Sequence, residues 1–247
     1  MSHPSGATEL TPTAQRILAG GRPADPRSED PIWDRYVTAF HVDPGDVVAM
    51  QAVFALRFEV YCRDRRFLPE EDYPDGQERD SYDAHSEQVL ALDRDEKPAG
   101  AIRLVRSQVQ GDLPFEAHCP RLWPDYAVDD RRACAEISRM VVHRDFRVRR
   151  DACAGAGGDG HARMPLLLLA LYRQLYRISR RLGIRWWYAA MEVPHARAFA
   201  GLGFSFTAIG PITDYYGPVA PYRADLRDIE ASLAATQPRL LDWFQRG

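Results

Sequence analysis

The chain has 247 residues, 45% of them hydrophobic and 27% charged, with a formal net charge of -3. That is the balance of a soluble globular protein long enough to bury a full core. The slight acidity removes any global electrostatic case for nucleic acid or an anionic membrane, so local charge must carry such a claim.

Residues 1–30 are rich in Pro, Gly, Ser and charge and lack an apolar run. They read as a mobile arm ahead of a domain at 31–247, with no secretory signal, which predicts a cytoplasmic protein. From Asp46, apolar residues at Val48, Met50, Val53, Leu56 and Val60 follow helical spacing to about Cys62. A polar connector then leads to two strands, EQVLALDR and AGAIRLVRS, joined by a charged DEKP turn as a hairpin. After a proline-bearing loop, CAEISRMVV starting at Cys134 reads as a strand, followed by a Gly-rich loop over 151–160. The helix MPLLLLALYRQLYRISRRLG comes next, with Leu167, Leu171, Leu175, Ile178 and Leu182 on its apolar face. It is too short and too closely followed by arginines to span a bilayer. A strand IRWWYAAME, a short helix HARAFAGLG, a strand FSFTAIGP and a final helix from Asp225 complete the order. Mixed elements in this order predict one α/β (α+β) domain on a central sheet flanked by helices.

Cys62, Cys119, Cys134 and Cys153 form no CxxC pair. Scattered reduced thiols fit better than a metal site built on His118 or His143. The Gly-rich loop could hold phosphate on backbone N–H groups, but its spacing is neither GxGxxG nor a Walker pattern, and a surface insertion explains it equally well. Arg144, Arg147, Arg149 and Arg150, with Arg173 and Arg177 on the long helix, are either a solvated face or a docking surface for an anionic partner. Trp186 and Trp187 are expected in the core and not on a nucleic-acid platform.

The informative charges are those on elements that should be buried. Arg57 is on the first helix and Arg103 in the second hairpin strand, between Ile102 and Leu104. Glu136 and Arg139 are in the following strand, and Asp80 and Asp83 precede the hairpin. Charges so placed must pair with one another, as a structural network, or with a ligand.

These residues resemble the GNAT superfamily of acyltransferases, in the branch of the acyl-homoserine-lactone synthases and N-acyl amino acid synthases. The pattern of that branch is matched by Arg57, Tyr61, Phe67, Asp80, Asp83, Arg103, Phe115, Glu136, Ser138 and Arg139, in order, over about residues 48–142. HARAFAGLGF is similar to the GNAT segment before the last strands, and GPITDYYGPVAPY to the C-terminal signature of exosortase-associated acyltransferases. The resemblance implies a GNAT-like single domain with a splayed central strand pair and no tightly bound cofactor. An acyl thioester, on the phosphopantetheine of acyl carrier protein or on coenzyme A, would be co-substrate, and an amine acceptor such as an amino acid the partner. Glu136 would be the general base, and N–H groups of Met140, Val141 and Val142 the oxyanion donors. Arg57, Tyr61, Phe67, Asp80, Asp83, Arg103, Phe115, Ser138 and Arg139 would surround the substrates, with an acyl tunnel past Phe115, Trp186 and Tyr188. The arginine clusters would receive the carrier protein. Glu136 and Arg139 are three apart, so sharing one face requires a β-bulge. Three departures stand out: Phe67 replaces the Trp of the lactone synthases, Phe199 replaces the Tyr that protonates the leaving thiol in many GNAT enzymes, and the compact pyrophosphate loop gives way to the insertion at 151–160.

Overall fold

The computed structural model describes residues 37–107, 113–126, 128, 130–147 and 163–246. The arm at 1–30, the Gly-rich loop, Arg149, Arg150 and Cys153 lie outside the described residues.

One sheet runs in the order β1 (Val37–Val42), β2 (Ser86–Asp93), β3 (Pro98–Arg106), β4 (Cys134–Val142), β5 (Trp186–Glu192), β8 (Pro218–Asp225) and β6 (Thr207–Ala208), with β7 (Thr213–Asp214) also on β8. Every pairing is antiparallel except β4 with β5. The hairpin, the β4 strand and β5 appear where the sequence pattern puts them. β1 and β8 were not anticipated, FSFTAIGP yields only the two-residue β6, and the tail forms two helices, α6 (Leu226–Thr236) and α7 (Pro238–Gln245).

The first helix, α1 (Val47–Phe58), starts where the Asp46 carboxylate accepts from the Ala49 N–H at 3.0 Å. It continues into a widened π turn over Glu59–Asp64, a feature often found at functional sites. The long helix α4 (Arg163–Leu182) covers the opposite face of the sheet. Period-two alternation along β3 divides its side chains between the two. Ile102 and Leu104 pack with Leu167, Leu171, Leu175 and Ile178 of α4. Ala101 joins Val53 and Leu56 of α1. Arg103, between the α4-facing pair, therefore points to the α1 side, where it is fully buried. Trp187 is core, as expected, with its indole N–H donating to Ser179 Oγ at 2.8 Å. Leu182, at the end of the apolar stripe, is exposed.

Two irregularities shape the site. β4 pairs with β5 only at Cys134, Ala135 and Glu136, after which the strands part and β5 continues along β8. On its other edge, β4 matches Val141 to Ala101 but Ser138 to Arg103, so β4 has one extra residue. That is the expected bulge, and it falls at Arg139, whose φ is 49°. Two short helices, α2 (Pro114–His118) and α3 (Arg144–Arg147), flank β4 in sequence, and α5 (Val193–Gly201) follows β5.

Candidate active site

The bulge turns Arg139 onto the same side as Glu136, Ser138 and Arg103. Three arginines and three carboxylates meet there. Arg57 donates Nε to Glu78 at 2.5 Å and grips Asp83 with both terminal nitrogens at 2.7 and 3.2 Å. Arg103 donates Nε to Ser138 Oγ at 3.0 Å, holds both oxygens of Asp80 at 2.6 and 3.1 Å, and reaches Asp83 at 2.9 Å. Arg139 bridges Glu78 at 3.1 Å and Asp80 at 3.0 Å. Gln88 of β2 adds a bond to Asp83 at 2.8 Å. The charges balance three against three, which is how such a cluster tolerates burial. Burial pushes the Asp83 carboxyl up, but Arg57 and Arg103 outweigh it and hold it down to about 2. Asp80 is likewise below its ordinary value, with Arg103 and Arg139 overcoming desolvation.

This geometry revises the acceptor pocket read from sequence. The side chains of Arg57, Arg103 and Glu78 are 0% exposed, whereas Arg139 and Asp80 keep 17% and 23%. Arg57 and Arg103 build the floor and do not reach the cleft. Arg139 and Asp80 form its polar rim. Glu78 is the keystone that sequence reasoning missed. It sits in a connector full of ordinary surface carboxylates, and nothing local distinguishes it.

Glu136 is apart from this network. It is 3% exposed, and its Oε2 accepts from the Phe115 N–H at 2.7 Å. Desolvation dominates over that bond and over the more distant Arg103 and Arg139, so the carboxyl is pushed up to about 8. Phe115 stacks on Tyr188 with ring centroids 5.0 Å apart and planes 3° from parallel. Both are buried, so the tunnel expected past them is packed shut.

Aromatic groups ring Arg139. Its guanidinium lies 5.5 Å from the Tyr61 ring centre, and the Tyr61 hydroxyl donates to the Met140 carbonyl at 3.3 Å. Phe67 neighbours Tyr61 at 6.1 Å and stacks on Tyr216 at 6.0 Å. Tyr215 stacks on His118 at 3.9 Å and feels the charge of Arg139, though burial dominates and raises its hydroxyl above the ordinary value. Sequence weighed His118 only as a metal ligand, and Tyr215 and Tyr216 only as part of the C-terminal signature. They arrive through α2 and through the β7–β8 turn, from distant parts of the chain.

The basic clusters are less available than their sequence suggests. Arg147 is paired with Asp64, and Arg173 lies over Trp243 at 4.6 Å while donating to the Arg246 carbonyl. Arg177 is only half exposed, and Arg144 stays exposed. Cys62, Cys119 and Cys134 are buried thiols, and the Cys134 thiol donates to the Asp130 carbonyl at 3.1 Å. Among the described residues no group of acidic, His and Cys side chains is arranged to hold a metal ion, and no helix is long and apolar enough to cross a membrane.

Residues 56–154, which hold every charged residue of the cluster, match the model of an acetyltransferase (GNAT) domain. Over those residues the chain is similar to a GNAT acetyltransferase domain. Its fold is that of TofI, solved in a ternary complex with an inhibitor and MTA (19% identity, covering 82% of this chain and 99% of TofI, TM-score 0.60). It is also that of BjaI, a CoA-dependent acyl-homoserine lactone synthase solved with SAM and isopentyl-CoA (22%, 81% and 88%, 0.55). FeeM, an N-acyl amino acid synthase from uncultured soil microbes, is more distant (15%, 79% and 94%, 0.49). Among curated proteins none matches the sequence. β4 and β5 part after Glu136 and Tyr188, which is the splayed strand pair that the GNAT resemblance implied. Phe199, on the buried face of α5, packs against Tyr172 at 4.6 Å in the core and offers no proton.

Proposed function

We propose that the protein moves a long-chain acyl group from an acyl-carrier-protein thioester to the amine of an amino acid. The observation that carries this reading is the pairing of a buried, high-pKa carboxyl, Glu136, with the partly exposed rim of Arg139 and Asp80. An amine attacks a thioester only as the neutral base, and free amino groups near neutrality are largely protonated. Glu136 takes that proton, directly or through a water. Arg139 pairs with the acceptor carboxylate and Asp80 with its ammonium before deprotonation. The oxyanion lies against the β4 backbone beyond Glu136, where β5 no longer pairs, and Met140, Val141 and Val142 supply the N–H groups there. The acyl chain enters by separating Phe115 from Tyr188. Arg144 contributes to carrier docking.

The test is mass spectrometry of products from long-chain acyl carrier protein, or the matching acyl-coenzyme A, with a mixture of the common amino acids. A new acyl-amino acid mass, absent with Glu136→Gln, is expected. No product with either donor would refute the reading.

A second reading is favoured by the aromatic belt of Tyr61, Phe67 and Tyr216, which suits a sulfonium cation. In that case S-adenosylmethionine is the acceptor and an acyl-homoserine lactone the product. Product formation only when S-adenosylmethionine is present would select it.

A further inference from the structure

We infer that the end of the sheet away from the strand divergence holds a second ligand site, for a small organic anion that carries an apolar part. The inference does not depend on which acyl transfer the chain performs. At this end β4 still pairs with β5, Cys134 against Trp186. His85 leads into β2, Arg106 ends β3 with Ser107 after it, and Arg132 is in the turn before β4. Leu182 ends α4, and Ile184 lies between α4 and β5. These six residues line a cleft of about 340 Å³. Sites for small ligands run from roughly 300 to 1,000 Å³. None of the six belongs to the ion cluster around Arg139.

The polar lining is short of negative charge. Arg106 approaches Glu87 at 3.4 Å, but that carboxylate is held more closely by His41, at 2.7 Å. The Asp130 carboxylate accepts from the Arg132 backbone N–H at 3.1 Å, and among the described residues no acceptor is paired with the Arg132 guanidinium. The Ser107 hydroxyl is closed to solvent and has no hydrogen-bond partner among the described residues. A hydroxyl left in that state costs free energy that a ligand oxygen would recover. Two guanidiniums, a hydroxyl and an imidazole lining one cleft suit a carboxylate or phosphate head, whose oxygens accept guanidinium donors in pairs.

The rest of the lining is apolar. Ile184 is buried, and Leu182 is exposed although it ends the apolar stripe of α4. Gly183 between them, at φ 71°, closes the helix. A bare anion would leave Leu182 uncovered and most of the cleft unfilled. An anionic head with a few methylene groups uses both parts of the lining, the head on Arg106, Arg132 and Ser107 and the chain on Leu182 and Ile184. Alkyl carboxylates and alkyl phosphates share that chemistry.

The experiment is isothermal titration calorimetry of the full chain with four probes at fixed ionic strength: acetate, hexanoate, inorganic phosphate and hexyl phosphate. Arg132→Gln and Leu182→Asn are run beside it, both at exposed positions where the fold should survive. At least one hexyl probe should bind saturably, one per chain. It should bind about 10-fold or more tighter than its bare counterpart, since each buried methylene is worth roughly 4-fold. Arg132→Gln should weaken it about 10-fold or more, and Leu182→Asn should erase most of the advantage of the chain. The tighter of the two hexyl probes names the head, carboxylate or phosphate. No saturable binding of either hexyl probe would overturn the inference. So would binding that Arg132→Gln leaves unchanged, as for a probe seated in the acyl-transfer cleft. Equal affinity for hexyl and bare anions would mean an adventitious ion only and would overturn it as well.

Discussion

Replacing Glu136 with Gln should make the protein less active and more stable, and the stability gain should depend on pH. The carboxyl is fully buried and its pKa rises from 4.5 to about 8, chiefly by desolvation. In the unfolded chain it ionises at its ordinary value. Between the two values the unfolded state has lost its proton and the folded state has not, so stability falls as pH rises through that window. At about 1.4 kcal/mol for each tenfold change in proton affinity, the full cost approaches ~5 kcal/mol above pH 8 as a ceiling. The Gln side chain keeps the shape and the carbonyl that accepts from Phe115, and carries no charge at any pH. Denaturant melts of both proteins across pH 4 to 9 should coincide near pH 4.5 and separate steadily, with the Glu136→Gln variant ahead by a few kcal/mol at the alkaline end. Turnover should fall about 10²–10⁴-fold. The wild-type kcat/KM should rise with pH to a limb near 8, and the variant should lack that limb. A stability difference that does not vary with pH would show that Glu136 is not held protonated, and the base assignment would lose its physical footing.

Removing one member of the ion cluster should be severe. Arg103→Met leaves Asp80 and Asp83 short of counter-charge and should cost about 3–5 kcal/mol in denaturant melts. Glu78→Gln should cost a similar amount and also weaken acceptor binding, through Arg139; an unchanged acceptor KM would separate the floor from the rim. Asp83 has a depressed pKa, so its contribution is present above its ordinary value of 3.8 and is lost as pH falls towards 2. Acid melts should show it as up to about 2 kcal/mol. Gly210→Ala would place a Cβ 2.4 Å from the Arg121 carbonyl oxygen, and overpacking of that kind should cost about 1–3 kcal/mol.

What could be read from sequence followed the strength of local pattern. The α4 stripe and the β2–β3 hairpin carry clean periodicities of 3.6 and 2, and both formed. β8 escaped because Pro218 and Pro221 argue against a strand inside a sheet. The sheet accommodates them because β7 pairs only with Val219 and Pro218, and β6 only with Arg223 and Tyr222. Ala220 and Pro221 fall in the gap between those two short strands. The bulge was foreseeable, since two charges three apart on one strand cannot share a face otherwise. Glu136, Arg139, Asp80 and Asp83 stood out because charge on or beside a central strand demands a partner. Glu78 did not, because it looks like an ordinary loop carboxylate until the fold brings it to Arg139, and the stack of His118 on Tyr215 joins distant parts of the chain. The arginine clusters misled for the converse reason: sequence shows a run of charge but not that Asp64 and Trp243 occupy Arg147 and Arg173.

The cluster and the base also depend on each other. Arg103 and Arg139 both favour an ionised Glu136, yet its pKa stays high. Burial outweighs them, and both guanidiniums are at the same time held by Asp80, Asp83 and Glu78. Asp80→Asn tests this directly. Asn retains an oxygen for the Tyr82 N–H that Asp80 caps at 2.9 Å, so the local turn should survive. The variant removes a negative charge near Glu136 and frees part of two guanidiniums. Both changes lower the Glu136 pKa, so the rising limb of kcat/KM should move to lower pH by about one unit, or ~1.4 kcal/mol. A limb that stays near 8 or moves upward would mean that burial alone sets the base, and that the six-residue cluster serves only the fold.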